Sequence, residues 1–241
     1  WGRTQYITRL PQYRHLMVSD RGVVDGGTRN LDVANPESHA VMLALQEEVI
    51  DTLQPKALCI AFDEIHYAEL VTSEAARAKG WKPSDWVIEA LTVNANFLRR
   101  KGVRMWLWGD MLDPEQNGRH LDLSGPELIA RLPRDDMTIL DWKYHDTFFG
   151  PPDYPSLGLF TRLGLPTIGC PWFSPNNIAE LATAVRRHGA QGMIQTSWHM
   201  TDPPHMRAEL ARAVALTARV SWSPAEATLA HVTTVPNAAF A

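Results

Sequence analysis

Cysteine is scarce in this chain of 241 residues; there are two, Cys59 and Cys170. They form no Cys-x-x-Cys pair, and two thiols cannot make a metal site on their own; a disulfide between them is the lesser alternative. Both lie in apolar, strand-like runs and are expected to be buried free thiols. Long hydrophobic runs are absent as well. None reaches the roughly 20 residues that a membrane-spanning helix needs, so no membrane partner is expected. Basic stripes are missing: 23 Lys and Arg face 27 Asp and Glu, a net charge of −4, and nucleic acid is not an expected partner. No Gly-x-Gly-x-x-Gly or P-loop pattern follows any predicted strand, which weakens a nucleotide-binding reading. His-Glu-x-x-His is absent and the histidines, His66, His145 and His199 among them, are scattered. Neither a metal nor a cofactor is expected. No secretory leader is visible, and no compartment follows from the sequence.

What is present is an ordinary globular composition, 45% hydrophobic and 21% charged, patterned as short apolar runs between longer helical repeats. Asn35 and Pro36 open a helix whose apolar face is read as Met42, Leu45, Val49, Ile50 and Leu53, and Pro55 ends it. The run 57–62 follows, apolar throughout, as a strand covered on both faces should be. Ser84 is read as the cap of a helix that carries Val87, Ile88, Leu91, Ala95 and Leu98, with Gly102 as its stop. Further strands are expected at 103–108, 137–140, 166–170 and 192–196. Helices are expected at 126–132, after Ser174 and Pro175, and from about 204 to 219. The first 34 residues offer at most one short strand, near His15 to Ser19.

Strands that alternate with helices in this way imply a parallel sheet with helical crossovers. Five βα units are legible; a closed barrel and an open doubly wound sheet both fit such a series, and a closed (β/α)8 barrel needs eight units. The barrel reading, adopted on the resemblance given below, is of a partial barrel over 1–223, with an exposed first edge strand, followed by a tail over 224–241.

In parallel α/β folds the chemistry sits at the carboxyl ends of the strands. Those ends carry Asp63-Glu64, Asp110, Asp141-Trp142, Pro171-Trp172 and Ser197-Trp198. Two adjacent charges after an apolar run fit an acid–base pair, because an apolar cleft raises the pKa of a carboxyl group and lets it protonate a leaving oxygen. Five of the nine tryptophans stand at or near strand ends (Trp106, Trp108, Trp142, Trp172 and Trp198), and indole faces suit sugar rings. A retaining glycosidase commonly adds a second carboxylate as nucleophile, yet the last two strands end without one. Catalysis assisted by the substrate's own 2-acetamido group removes that need. One carboxylate then handles the proton and its neighbour steadies the acetamido group.

The segment Leu31-Asp-Val-Ala-Asn-Pro-Glu37, the amphipathic helix after it, and Leu58-Cys-Ile-Ala-Phe-Asp-Glu64 resemble glycoside hydrolase family 20. Residues 1–16 resemble the stretch after the third barrel strand in the hexosaminidase D-like branch. Met105-Trp-Leu-Trp-Gly-Asp-Met111, Asp141-Trp-Lys-Tyr144 and Gln195-Thr-Ser-Trp198 resemble the fifth-, sixth- and eighth-strand segments. The resemblance implies a TIM-barrel catalytic domain represented here by strands 4 to 8. It implies removal of terminal N-acetylhexosamine from N-acetylglucosamine- or N-acetylgalactosamine-containing glycans. Glu64 would be the general acid/base and Asp63 the residue that orients the 2-acetamido group. Trp108, Trp142, Trp172 and Trp198 would contact the sugar, with Asp110 and Tyr144 as hydrogen-bonding candidates. Three positions depart from the family pattern: Arg3 replaces a histidine, Trp172 stands in place of a Tyr-x-Asp segment, and Met200 replaces a carboxylate. They bear on hydroxyl recognition, and hence on which sugar is taken, more than on the acid. Two alternatives stay open, a non-catalytic saccharide-binding relative and a metal-assisted barrel hydrolase using Asp63, Glu64, Asp110 and His199.

Overall fold

The computed structural model describes residues 4–18, 30–65, 73–144, 153–197 and 204–222. Arg3, His66, His145, Trp198, His199, Met200 and the tail from 224 lie outside them. The elements in chain order are α1 (Gln5–Thr8), a 3-10 turn (Pro11–Leu16), α2 (Pro36–Leu53), β1 (Ala57–Cys59), α3 (Glu74–Ala78), α4 (Pro83–Arg100), β2 (Arg104–Trp108), a 3-10 turn (Asn117–His120), α5 (Gly125–Ala130), β3 (Met137–Trp142), α6 (Pro155–Arg162), β4 (Thr167–Cys170), α7 (Pro175–His188), β5 (Gly192–Met193) and α8 (Pro204–Trp222). The strands form one sheet in the order β1-β2-β3-β4-β5, with parallel pairing. Each crossover carries a helix, so this is an α/β fold with a parallel sheet, as the alternating pattern predicts. The chain divides into two compact units, Trp1–Thr138 and Ile139–Ala241, with the boundary inside β3.

In the first unit, the Asn35 side chain accepts from the Glu37 amide at 3.0 Å and Pro36 occupies the first helical position of α2. That satisfies one orphan N–H where proline costs nothing. Gln54 ends the helix in the left-handed region. β1 lies in register with β2, Leu58 opposite Met105. α4 buries Trp86, Val87, Ala90, Leu91 and Leu98 and packs on β2 and α2. A buried hydrogen bond from Gln46 Nε2 to Asn94 Oδ1 (2.6 Å) links α2 to α4. Ser124 and Glu127 form a reciprocal capping box at the start of α5.

Several expectations need correction here. The short strand near His15 is a 3-10 turn opened by Pro11, and only Met17 makes an antiparallel bridge, to Leu31. α3 carried no legible pattern; it is nucleated by Ser73, whose Oγ accepts from the Ala76 amide at 2.9 Å. α4 begins at Pro83, and Ser84 is a buried helical residue whose Oγ accepts from Leu123 N. The apolar run 57–62 is strand only to Cys59, because Ala61 (φ 58°) and Phe62 (φ 75°) turn into the left-handed region. Both cysteines are free, as expected, yet Cys59 is exposed and Cys170 alone is buried.

In the second unit, β3 pairs with β4 from Ile139–Thr167 to Trp142–Cys170, and β4 pairs with β5. The last pairing runs past β5 through Ile194 N to Gly169 O and Thr196 N to Pro171 O. α7 is capped by Ser174 and closed by Gly189 at φ 70°, a conformation that suits a residue without Cβ. One face of α7 packs Ile178, Ala179 and Ala182 against Ala213, Leu216 and Val220 of α8. Another packs Leu181, Ala184 and Val185 against Tyr154 and Leu157.

Candidate active site

In the first unit the ends of β1 and β2 run side by side. The Trp108 amide donates to Ala61 O at 2.9 Å, which places the residues after 61 next to those after 108. Asp63 is buried at 5% exposure and Glu64 is half-buried. Regular alternation would send two neighbours to opposite faces. Here Ala61, Phe62 and Glu64 (φ 49°) all leave extended geometry, so the pair sits on a turn rather than on a strand. Phe62 anchors that turn: it is fully buried and its ring centroid lies 6.5 Å from that of Trp86.

Asp110 is fully buried. Its Oδ2 accepts from the Glu64 amide at 2.9 Å and from Asn117 Nδ2 at 2.7 Å. The structure thus brings Asp63-Glu64 and Trp108-Gly109-Asp110 together at one end of the β1–β2 pair. Asn117 belongs to this cluster and was missed by sequence reading. It stands in a 3-10 turn after Asp113-Pro114 and shows no periodicity, so only the spatial return of the chain reveals it.

In the second unit, β3 and β4 end in an aromatic run. Trp142 and Tyr144 have ring centroids 5.1 Å apart, Tyr144 and Trp172 5.9 Å, and Trp172 and Phe173 5.6 Å, all tilted. Trp172 is 38% exposed, and Trp142 and Tyr144 are half-buried. Tilted pairs at such separations are favourable and leave ring surface for a ligand. Asn177, also missed, is the scaffold beneath them. It is fully buried, its Oδ1 accepts from Trp172 N at 2.8 Å, and its Nδ2 donates to Lys143 O at 2.8 Å. Asp141 lies below as an acceptor from Ser156 Oγ at 2.7 Å. Trp198 lies outside the described residues. Among the described residues no group of three or more His, Cys, Asp or Glu could hold a metal ion, and no helix is long and apolar enough to cross a membrane.

A parallel sheet in chain order, with carboxylates and aromatic rings after its strands, defines an α/β fold whose polar groups collect at the carboxyl ends. The same fold occurs in a GH20 exo-β-N-acetylglucosaminidase from Vibrio harveyi, solved with N-acetylglucosamine, at a TM-score of 0.62 and 16% identity over 87% of this chain and 36% of that one. A chitobiase of Flavobacterium johnsoniae matches at a TM-score of 0.57 and 13% identity over 99% of this chain and 39% of that one. The chain therefore spans well under half the length of these proteins, and at such identities the likeness is one of fold. No protein-family profile matches the chain, and comparison with curated proteins returns no match.

Proposed function

We propose that this chain is the catalytic part of a glycoside hydrolase that removes terminal N-acetylhexosamine, built as a partial (β/α)8 barrel in which β1 to β5 correspond to strands 4 to 8. Glu64 is the general acid/base and Asp63 orients the 2-acetamido group. Trp108 in the first unit, and Trp142, Tyr144, Trp172 and Trp198 in the second, are the substrate-binding residues; no metal or cofactor takes part. The observation that carries this reading is the adjacent carboxylate pair on a left-handed turn at the end of β1, beside Trp108. The fold shared with an exo-β-N-acetylglucosaminidase solved with N-acetylglucosamine, and with a chitobiase, supports it.

The chemistry balances without a protein nucleophile. The acetamido oxygen attacks the anomeric carbon while the glycosidic bond breaks. Glu64 delivers its proton to the departing oxygen, and Asp63 accepts a hydrogen bond from the acetamido N–H and offsets its growing positive charge. Water then opens the cyclic intermediate and gives its proton to Glu64, which restores both groups.

Hydrolysis of a chromogenic N-acetylglucosaminide tests the activity, and Glu64→Gln tests the role. Glutamine keeps the shape but donates no acidic proton, and general acid catalysis is typically worth about 10²- to 10⁴-fold. The variant should lose that much on a natural glycoside, less on an activated aryl glycoside, and retain sugar binding. Equal losses on both substrates count against Glu64. Sugar binding without any turnover in the unaltered protein points instead to a binding relative, for which exposed Trp172 is suited.

A further inference from the structure

Three non-glycine residues within four positions, Ala61, Phe62 and Glu64, adopt positive φ. Residues with a Cβ avoid this region unless their surroundings over-determine it. For Phe62 the determinant is burial of its ring. For Glu64 it is a hydrogen bond: the main-chain N–H donates to Asp110 Oδ2 at 2.9 Å. A carboxylate acceptor makes this bond stronger than one to a neutral group.

Asp110 is itself held on several sides. The oxygen that receives Glu64 N–H also receives Asn117 Nδ2 at 2.7 Å. The Asp110 carbonyl accepts from Gly118 N at 2.9 Å, which folds residues 110–118 back on themselves. That fold is too tight for a side chain at 118, where a Cβ would stand 2.6 Å from Asp113 O and 2.8 Å from Met111 O. No part of Asp110 is exposed. A nucleophile has to present an oxygen to an anomeric carbon. Oδ2 instead spends its lone pairs on two internal donors.

We propose that Asp110 is a positioning residue: its carboxylate, braced by Asn117, fixes the left-handed main-chain conformation of Glu64 and so sets where the Glu64 carboxyl stands. It acts through Glu64 and forms no bond to the sugar. The kinetic consequence rests on the proposed role of Glu64; the conformational one does not.

Full-length protein carrying Asp110→Asn, Asp110→Ala and Asn117→Ala tests this. Glu64 N and Asn117 Nδ2 both donate to Oδ2, so asparagine retains the bond to Glu64 when its single acceptor oxygen faces them. Alanine cannot. The first readout is hydrogen exchange of the Glu64 amide by NMR. Protection should survive in Asp110→Asn, vanish in Asp110→Ala and weaken in Asn117→Ala. Protection unchanged in Asp110→Ala overturns the proposal whatever the enzyme does, and the same holds if that variant fails to fold and Asn117→Ala leaves protection intact.

The second readout is kcat and KM across aryl N-acetylglucosaminides of increasing leaving-group pKa. A misplaced acid should lower kcat by about 10²-fold for the poorest leaving group, progressively less for better ones, with KM little changed. Asp110→Asn should recover most of that loss. Asparagine as damaging as alanine, or a loss independent of the leaving group, overturns the proposal in favour of a nucleophile or a substrate contact. If Glu64→Gln proves harmless, the function proposed above has failed, and the exchange experiment alone still decides the link between Asp110 and Glu64.

Discussion

Asp32 shows how one buried carboxyl can work against its own fold. Burial pushes its pKa above the ordinary value, and the hydrogen bonds from Ser73 Oγ (2.7 Å) and Ala34 N (2.9 Å), with nearby Lys79, pull it only part of the way back. A carboxyl whose folded pKa is raised binds its proton more tightly when folded. Its stabilising contribution is whole below the ordinary aspartate value of about 3.9 and is lost as pH rises through the raised folded value. Asp32→Asn keeps an acceptor for Ala34 N and cannot ionise. Its stability relative to the unaltered protein should therefore rise between pH 3.5 and pH 7 in urea denaturation, with other titrations cancelling in the difference. A difference that stays flat over this range would show that Asp32 pays no desolvation cost when it ionises.

At the scale of elements, α2 separates what periodicity reveals from what it hides. Its start at Pro36 and its end before Pro55 are legible, because the asparagine cap and the two prolines act locally. The buried side is not. Leu45, Val49 and Leu53 are exposed, whereas Ile50 and Gln46 are buried. Leu45-Val49-Leu53 and Gln46-Ile50 are adjacent rows on one helix. The row that is covered is set by α4, whose Asn94 receives Gln46. Ile50→Ala should cost about 2–5 kcal/mol through a lost contact and a residual cavity. Leu53→Glu, at a position 71% exposed, should change stability by no more than about 0.5 kcal/mol. Chemical denaturation of both variants measures this, and comparable losses would mean that Leu53 is covered in solution.

For the whole molecule, the succession of βα units was legible because each signals itself by an apolar run, a capped helix and a stop, whereas their order in the sheet was decided by the tertiary structure. A single parallel sheet in chain order is the simplest way to connect such units with short right-handed crossovers. The chemistry proposed for that sheet makes one prediction independent of any single side chain. If the substrate's acetamido group is the nucleophile, a thiazoline mimic of the cyclic intermediate should bind at least about 10²-fold more tightly than N-acetylglucosamine. A glycoside lacking the 2-acetamido group should be turned over very poorly. Inhibition and turnover assays read both, and a covalent sugar ester on any carboxylate, trapped with a fluorinated sugar and found by mass spectrometry, would refute the mechanism.

Sequence by itself determined the α/β class, four of the five helix starts read from caps and prolines, and the placing of Trp108 at the end of a strand and of Asp63, Glu64 and Asp110 beyond strand ends. These depend on forces that act within a few residues: capping, fixed proline φ, and the change from apolar to polar at a strand end. Tertiary structure alone decided that β1 stops at Cys59, that Glu64 sits in the left-handed region, and that Asn117 and Asn177 brace the ends of the strands. Glu64 and Asn177 depend on partners far along the chain. The Glu64 amide meets a carboxylate 46 residues away, and Asn177 reaches Lys143 across 34. A buried polar side chain is tolerated only where such distant partners satisfy it, and no local pattern records which partners those are.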